Sequence, residues 1–407
     1  MKFIKDGISS DMIIDNVFGV TRLAKEAIIK YGDQNVVNAT IGALFDDQAK
    51  LVALDSVYNV YNNLDNKVKA KYADGFAGNK SFIEAINKWV FNDTDMNLSY
   101  NTLATPGGSG ALSISMLNLL DKDDIVLAPN IAWGSYKLMA EQFNLQYRTY
   151  NLISEDSFDL NDFKLQVTNA LSEKKRIMIL INDPAHNPTG LSMGEFTWNK
   201  IIAFLNEFVD SEIIIVNDVA YLDYAYDQNI AKAHFKSVNH INDNILFLVA
   251  YSLSKSFTFY GVRLGSLFVC SKNEDTLQSV YNVLEKGCRS IWSNVNNAAM
   301  ETFAIVMNEH YDEYVNELNL YIDKLKNRSS LFIKEAKECG LETYPYSDGF
   351  FVTIVKLDNK QRDIDHQKLI NNNIYTIKVN QGIRVGICAI SEEKVKGLAH
   401  KIKEIIG

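Results

Sequence analysis

Five runs of apolar residues recur along the middle of the chain, with helical patterns between them. The runs cover residues 124–128, 177–182, 213–217, 245–251 and 264–270. The helical patterns cover residues 111–120, 195–208 and 276–285. Strands buried on both faces of a parallel sheet have this continuous apolar character, because helices shield both faces from water. The alternation therefore predicts an α/β fold in which a mostly parallel sheet lies between layers of helices.

The pattern changes beyond residue 296. Residues 297–336 have the periodicity of one or two long helices, short strands follow at 350–356 and 383–388, and a closing helix begins at Glu392. A helix-rich segment followed by short strands is typical of an α+β unit. We therefore predict a large domain over residues 49–296 and a small α+β domain over residues 297–407.

Composition and charge narrow the class of protein. The 407 residues are 47% hydrophobic and 22% charged, which is ordinary for a globular protein with a large core. The net charge of −9 argues against a nucleic-acid partner. No stretch resembles a membrane span or a signal peptide, so we expect a cytoplasmic protein without a membrane partner. The four cysteines include no C-x-x-C pair, so we expect neither a metal site nor a disulfide framework.

The segment YSLSKSFTFYGVRLG, residues 251–265, places Lys255 between hydroxyl side chains and an arginine. Ser252 and Ser254 precede the lysine, and Arg263 follows it. A lysine amine that forms an imine with an aldehyde cofactor needs the cofactor's anionic group held nearby, and serine and arginine side chains bind phosphate. The segment indicates a pyridoxal phosphate site. Considered alone, Lys255 is more typical of a solvated residue at the end of a strand.

A glycine-rich turn, TPGGSGAL at residues 105–112, leads directly into a helical pattern. The N–H groups at such a helix start, together with the Ser109 hydroxyl, form a seat for an anion. A plain flexible turn is the ordinary alternative. The G-x-G-x-x-G spacing of dinucleotide sites is absent, so a phosphate without a nucleotide fits better.

Polar and aromatic residues follow three of the predicted strands. Asp218 comes directly after one buried run, where open α/β sheets bind ligands, and would pair with a protonated pyridine nitrogen. Asn187 lies in the loop DPAHNPTG and would donate to a phenolate oxygen. Trp133 would stack on a flat ring. Their ordinary alternatives are a capping aspartate, a loop asparagine and a core tryptophan.

Taken together, these segments resemble the fold-type I pyridoxal phosphate enzymes, specifically the class I aminotransferases of the aspartate and aromatic aminotransferase group. The most specific motifs are HNPTG at residues 186–190 and S-x-S-K followed by G-x-R-x-G within residues 252–265. The segment NATIGALFDD, residues 38–47, resembles the family's N-terminal substrate segment, and the match spans nearly the whole chain. The resemblance implies a seven-stranded sheet in the large domain, and residues 1–48 as a segment that joins the small domain.

The resemblance also implies roles for individual residues around the cofactor. Lys255 would be the catalytic lysine that forms the imine. The implied cofactor-binding residues are Gly108, Ser109, Trp133, Asn187, Asp218, Tyr221, Ser252, Arg263 and Tyr72. Of these residues, Gly108, Ser109, Ser252 and Arg263 would hold the phosphate, and Tyr221 and Asn187 would both hydrogen-bond the phenolic oxygen. Ser254 receives no contact.

Substrate contacts follow from the same resemblance. The implied substrate-binding residues are Gly42, Trp133, Asn187, Arg289 and Arg384. Arg384 would bind the substrate α-carboxylate through its two-pronged guanidinium, although a structural salt bridge is the ordinary alternative. Arg289 would bind the distal carboxylate of a dicarboxylic substrate without excluding aromatic ones.

Arg289 and Tyr72 would come from a neighbouring subunit, so a homodimer with shared active sites is implied.

Two departures from the family pattern stand out. Gly107 occupies a position where relatives often carry a hydroxyl residue, and the spacing after Tyr72 is one residue longer than usual. We expect the first departure to remove or replace one phosphate contact.

The implied activity is a ping-pong exchange of an amino group between an L-amino acid and a 2-oxo acid such as 2-oxoglutarate, through imines of pyridoxal phosphate. Aspartate and glutamate are the expected donors, with aromatic amino acids also accepted. A lyase or β-decarboxylase on the same fold is the alternative, because substrate orientation decides which bond breaks. A non-catalytic ligand sensor is a third class, but the complete set of catalytic candidates argues against it.

Overall fold

The computed structural model describes residues 3–13 and 16–407 and contains a central seven-stranded sheet. Its strands, in chain order β1 to β7, are Ser99–Thr105, Ile125–Pro129, Gln146–Tyr150, Arg176–Ile181, Glu212–Asp218, Ile245–Ser252 and Gly265–Ser271. The spatial order is β1-β7-β6-β5-β4-β2-β3. β7 runs antiparallel to both of its neighbours, β1 and β6, and all other neighbouring strands of this sheet pair in parallel. The predicted α/β class and the mostly parallel seven-stranded sheet are confirmed.

The five predicted strands agree with β2 and β4 to β7 to within two residues at each end. Alternate residues of each strand pack into hydrophobic clusters on opposite faces of the sheet. In β4, for example, Ile177 and Ile179 belong to one cluster, whereas Met178 and Leu180 belong to the other. Burial on both faces explains why these strands have no polar alternation. It also requires the layers of helices that cover them.

The helices of eight or more residues surround this sheet and extend beyond it. In chain order, α1 to α12 are Asn16–Tyr31, Asp55–Asn63, Lys80–Phe91, Gly107–Leu119, Ser135–Gln142, Leu160–Glu173, Glu195–Leu205, Glu274–Ile291, Asn297–Glu309, Tyr311–Cys339, Asn359–Asn371 and Leu398–Ile406. The long helical pattern after residue 296 forms two helices, α9 and α10, which are separated at His310. The closing helix is likewise interrupted, because Gly397 adopts a left-handed conformation with φ of 76°.

A second, three-stranded antiparallel sheet lies in the C-terminal part of the chain. Its strands are β8 (Phe351–Val355), β9 (Ile377–Val379) and β10 (Gly382–Gly386), in the order β8-β10-β9. Thr353 of β8 is directly opposite Arg384 of β10. The N-terminal segment also reaches this region, because the short strand Val37–Asn38 pairs in parallel with Ile374–Tyr375.

Within residues 3–13 and 16–407, no helix is long and apolar enough to cross a membrane. The same residues contain no group of three or more His, Cys, Asp or Glu side chains placed to hold a metal ion. All four cysteines are free thiols.

Candidate active site

A cavity of about 410 Å³ opens at the edge of the central sheet where β2, β4, β5 and β6 end. Predicted site residues from seven separate parts of the chain line this cavity. They are Gly42, Gly108, Ser109, Trp133, Asn187, Asp218, Tyr221, Ser252, Lys255, Arg263 and Arg384. The carboxyl ends of parallel strands share one edge of a sheet, and this topology brings together residues that are distant in sequence.

Lys255 lies on the short helix Leu253–Ser256, directly after β6. Its Nζ donates a hydrogen bond of 2.5 Å to the Gly42 carbonyl and lies 5.5 Å from the centre of the Tyr221 ring. Burial lowers the pKa of Lys255 to about 8, and the positive charge of Arg384 acts in the same direction. A substantial fraction of this amine is therefore neutral near physiological pH, as a nucleophile or general base requires.

Asp218 is the last residue of β5 and is held by two hydrogen bonds. Its Oδ2 accepts from the Tyr136 hydroxyl at 2.7 Å, and its Oδ1 accepts from the Ala220 N–H at 3.1 Å. Burial raises the pKa of Asp218, whereas these two donors and the nearby Lys255 lower it. The contact with Tyr136 was not predicted from the sequence. It fixes the orientation of a carboxylate that faces the cavity.

The glycine-rich turn forms the start of α4, and Pro106 before it provides no side-chain cap. Gly107 has a positive φ of 74°, and a Cβ at this position would lie 2.7 Å from Nη2 of Arg263. A Cβ at Gly108 would lie 3.3 Å from Cβ of Ser252. The glycines therefore leave room beside the helix N-terminus. The same geometry explains why residue 107 is a glycine where relatives often carry a hydroxyl residue, because a side chain here would displace the Arg263 guanidinium.

Arg263 completes the positive end of the cavity. Its Nη1 donates to the Ser254 hydroxyl and to the Tyr260 carbonyl, both at 3.0 Å. The sequence analysis assigned no contact to Ser254. In the structure, Ser254 orients the Arg263 guanidinium and also lines the cavity. A helix N-terminus, serine hydroxyls and an arginine form a donor set suited to a phosphate group.

Arg384 is only 7% exposed, and its guanidinium stacks over the Phe351 ring at 4.3 Å. Its Nη2 donates to the Thr40 carbonyl at 2.8 Å, and its Nη1 donates to Oδ1 of Asn187 at 3.4 Å. Its Nε is buried without a hydrogen-bond partner, and no carboxylate of residues 3–13 and 16–407 lies within salt-bridge distance. The structural salt bridge is therefore excluded within the described chain. The buried guanidinium has an unmet capacity for an anion.

The HNPTG loop places Asn187 at the cavity. The Asn187 N–H donates to Oδ1 of Asn182 at 2.7 Å, and the Asn182 amide donates to the Asp218 carbonyl at 2.7 Å. On the other side of the loop, the Thr353 hydroxyl donates to the Pro188 carbonyl at 2.6 Å. The loop is thus fixed to both sheets at once.

Trp133 and Tyr221 contribute aromatic walls. The half-buried Trp133 packs edge-to-face on Tyr136, with ring centres 5.5 Å apart. Tyr221 is buried and packs edge-to-face on Phe350 and Phe351. Both residues line the cavity, so neither is solely a core aromatic.

Tyr72 and Arg289 do not line the cavity of the single chain. Tyr72 is 82% exposed, and Arg289 lies on the surface at 4.7 Å from the centre of the Phe76 ring. The Arg289 guanidinium also donates to the Ser293 hydroxyl. In the single chain, Tyr72 and Arg289 therefore lie apart from the other predicted site residues, which line the cavity together.

A buried lysine amine, a strand-end aspartate and a helix N-terminus beside an arginine define a site that fits pyridoxal phosphate by the chemistry of its donors. The family model of aminotransferase class I and II matches residues 34–402. The chain belongs to this family. It is a pyridoxal phosphate-dependent aminotransferase, as the sequence predicted.

Relatives agree with this assignment. A crystal structure of an aminotransferase from Anaerococcus prevotii has a TM-score of 0.95 and 31% identity, and the match covers 99% of each chain. An aspartate aminotransferase of Haemophilus influenzae is 22% identical over 385 residues, which are 92% of this chain and 94% of that protein. The mitochondrial aspartate aminotransferase of Schizosaccharomyces pombe is 24% identical over 295 residues, which are 70% of this chain and 64% of that protein.

Proposed function

We propose that this aminotransferase exchanges an amino group between a dicarboxylic L-amino acid, aspartate or glutamate, and a 2-oxo acid such as 2-oxoglutarate. Aromatic amino acids are accepted as further donors. The observation that carries the proposal is the buried Arg384 guanidinium, which shares one cavity with the Lys255 amine. No carboxylate of the described residues pairs with the Arg384 guanidinium, so this group and the nearby Lys255 amine suit the α-carboxylate and α-amino group of one amino acid. The names of the relatives above favour transamination over a lyase reaction.

The residues around the cofactor divide into those that hold it and those that move protons. When bound, pyridoxal phosphate supplies an aldehyde that condenses with amines and a ring that withdraws electrons from the substrate Cα. The proposed phosphate ligands are Gly108, Ser109, Ser252 and Arg263. Trp133 packs against the ring, and Asn187 and Tyr221 donate to its phenolic oxygen.

Lys255 and Asp218 perform the proton chemistry in this proposal. Lys255 removes the proton from the substrate Cα, and its lowered pKa keeps the required neutral form available. Asp218 holds a proton at the ring nitrogen, and the hydrogen bond from Tyr136 orients its carboxylate and opposes the rise in pKa that burial causes. The Gly42 carbonyl holds the amine of Lys255 inside the cavity. Arg384 orients the substrate through its α-carboxylate.

We propose that residues of a second subunit determine which substrates bind. Arg289 of a neighbouring copy binds the distal carboxylate, and Tyr72 of that copy contributes to the phosphate site. Their exposure on the single chain supports this arrangement, because both remain available to a partner. We further propose that the protein is a homodimer and is located in the cytoplasm. Each copy consists of the segment 1–48, the large domain 49–296 and the small domain 297–407.

A panel of amino donors tests the proposed substrates. The holoenzyme is mixed with single amino acids, and the cofactor absorbance is recorded together with the 2-oxo acid released. We expect aspartate and glutamate to convert the cofactor to its amine form, with phenylalanine and tyrosine reacting more slowly. The Lys255→Ala variant serves as the control that binds ligands without turnover. Conversion by a basic or purely aliphatic donor alone would contradict the proposal.

A further inference from the structure

The N-terminal substrate segment, residues 38–47, lies between the two sheets and touches the reactive groups through its backbone. The Thr40 carbonyl accepts from Nη2 of Arg384 at 2.8 Å, and the Gly42 carbonyl accepts from Nζ of Lys255 at 2.5 Å. The Leu44 N–H donates to the Tyr260 hydroxyl at 2.9 Å. The location of this segment therefore determines where the Lys255 amine and the Arg384 guanidinium are held.

The far end of the segment is fastened by an arginine that lies outside the cavity. Arg328, on α10, is 1% exposed. Its Nη1 donates to the Phe45 carbonyl at 2.9 Å, and its Nη2 donates to Oδ1 of Asp47 at 2.7 Å. Asp47 also accepts from the Glu392 N–H at 3.2 Å. These contacts tie the segment to the long helix and to the C-terminal part of the chain.

We propose that Arg328 and Asp47 are positioning residues that fix the Thr40 and Gly42 carbonyls against Arg384 and Lys255. The proposal rests on the functions proposed above for Lys255 and Arg384. Neither Arg328 nor Asp47 lines the cavity, so both act through the segment.

The geometry supports positioning rather than simple charge pairing. A guanidinium forms two hydrogen bonds in a fixed plane, so Arg328 defines both the distance and the direction of residues 45–47. Burial opposes ionisation of Asp47, but the hydrogen bonds from Arg328, the Glu392 N–H and Lys324, together with the positive charge of Arg328, lower the pKa of the carboxyl. The second cation at Asp47 is Lys324, at 3.3 Å and half-exposed. Lys324 offers a matched control, because it contacts the same carboxylate without touching the backbone of the segment.

Three variants of the full-length chain test the proposal: Asp47→Asn, Arg328→Lys and, as the control, Lys324→Met. Each is assayed for kcat and KM with glutamate. The cofactor-free protein is assayed separately for the rate of pyridoxal phosphate uptake, with borohydride trapping at Lys255 as the readout. Thermal unfolding shows whether each variant is folded. Asp47→Asn and Arg328→Lys are mild replacements, because each keeps a polar side chain of similar length at its position.

We expect Asp47→Asn to lower kcat about tenfold and to slow cofactor uptake by a similar factor, because misplacement of catalytic groups by less than an ångström has effects of this order. Arg328→Lys should give a partial loss, since an ammonium keeps the charge and loses the planar fork. Lys324→Met should stay within about twofold of the wild type, as exposed pairs contribute little.

Two results would overturn the proposal. Equal values of kcat, KM and uptake rate for Asp47→Asn and Lys324→Met would show that the Asp47 carboxylate has no positioning role. A lowered unfolding temperature with unchanged kcat, KM and uptake rate would show that the pair only stabilises the fold. The rate of cofactor uptake does not depend on turnover. A wild-type protein that failed to transaminate would therefore contradict the proposed function, while the uptake rates would still test the positioning role of Arg328 and Asp47.

Discussion

The Tyr136 hydroxyl donates a 2.7 Å hydrogen bond to the Asp218 carboxylate, and both side chains are buried. Burial raises the pKa of Asp218, and the tyrosine opposes that rise. A carboxylate that must stay ionised in a water-poor cavity depends on such a donor. Tyr136 is thus a supporting residue for the proposed pairing of Asp218 with the cofactor nitrogen.

Tyr136→Phe should weaken catalysis most strongly at low pH. Without the donor, the pKa of Asp218 rises further, so the acid-side decline of kcat/KM begins at a higher pH. We expect about a tenfold loss near neutral pH, the scale of one hydrogen bond to a charged group. The measurement is the pH profile of kcat/KM. Tyr147→Phe provides the control, because Tyr147 makes no hydrogen bond to Asp218; coincident profiles would contradict the prediction.

Lys255 should reduce the stability of the cofactor-free protein below pH 8. Its pKa is about 8 when folded against an ordinary 10.5, so the unfolded chain binds more protons between these values and stability rises with pH across that window. Lys255→Met should therefore be more stable than the wild type at pH 7, by about 3 kcal/mol. The advantage should shrink toward pH 10. Urea unfolding at both pH values measures this, with the exposed Lys334→Met as control.

Arg384→Lys should raise KM for the amino donor much more than it lowers kcat. A lysine cannot form the bidentate contact with a carboxylate, and we expect kcat/KM to fall about a hundredfold. Steady-state kinetics with glutamate measure the loss. Arg148→Lys, in a surface pair with Glu173, is the matched control. A decrease of similar size in both variants would show that the effect is not specific to the cavity.

Hybrid dimers test the sharing of active sites between subunits. A Lys255→Ala chain and an Arg289→Met chain are each impaired with dicarboxylic donors when assayed alone. In a hybrid, one site combines the intact Lys255 of one chain with the intact Arg289 of the other. Mixing equal amounts should restore up to about a quarter of the wild-type activity, since half of the dimers are hybrids with one complete site. Activity no greater than the sum of the separate variants would exclude sharing.

The central strands were predictable because burial on both faces leaves a continuous apolar signal. The edge strands β1 and β3 were not among the predictions. Both are partly exposed and carry polar residues, as in Gln146–Tyr150. Edge strands contact a helix layer less completely, so the apolar run that identifies a buried strand is missing.

The site shows a similar division. Asp218 and Lys255 were predictable because they directly follow buried strands and have the side chains that the chemistry needs. Tyr136 was not, because its bond to Asp218 spans 82 residues and depends on side-chain geometry. Ser254 was given no contact, since only the fold brings the Arg263 guanidinium back to it. Arg289 lies on the surface of the single chain, and its proposed role depends on a second copy, which one sequence does not position.

Trapping of the cofactor tests the central claim most directly. The holoenzyme is reduced with borohydride, which fixes pyridoxal phosphate to the amine that carries it, and is then digested and mapped by mass spectrometry. We predict that the modification lies on Lys255, in the peptide that contains the serines 252 and 254. A pyridoxyl group on a different lysine, with Lys255 unmodified, would contradict the assignment of the active site.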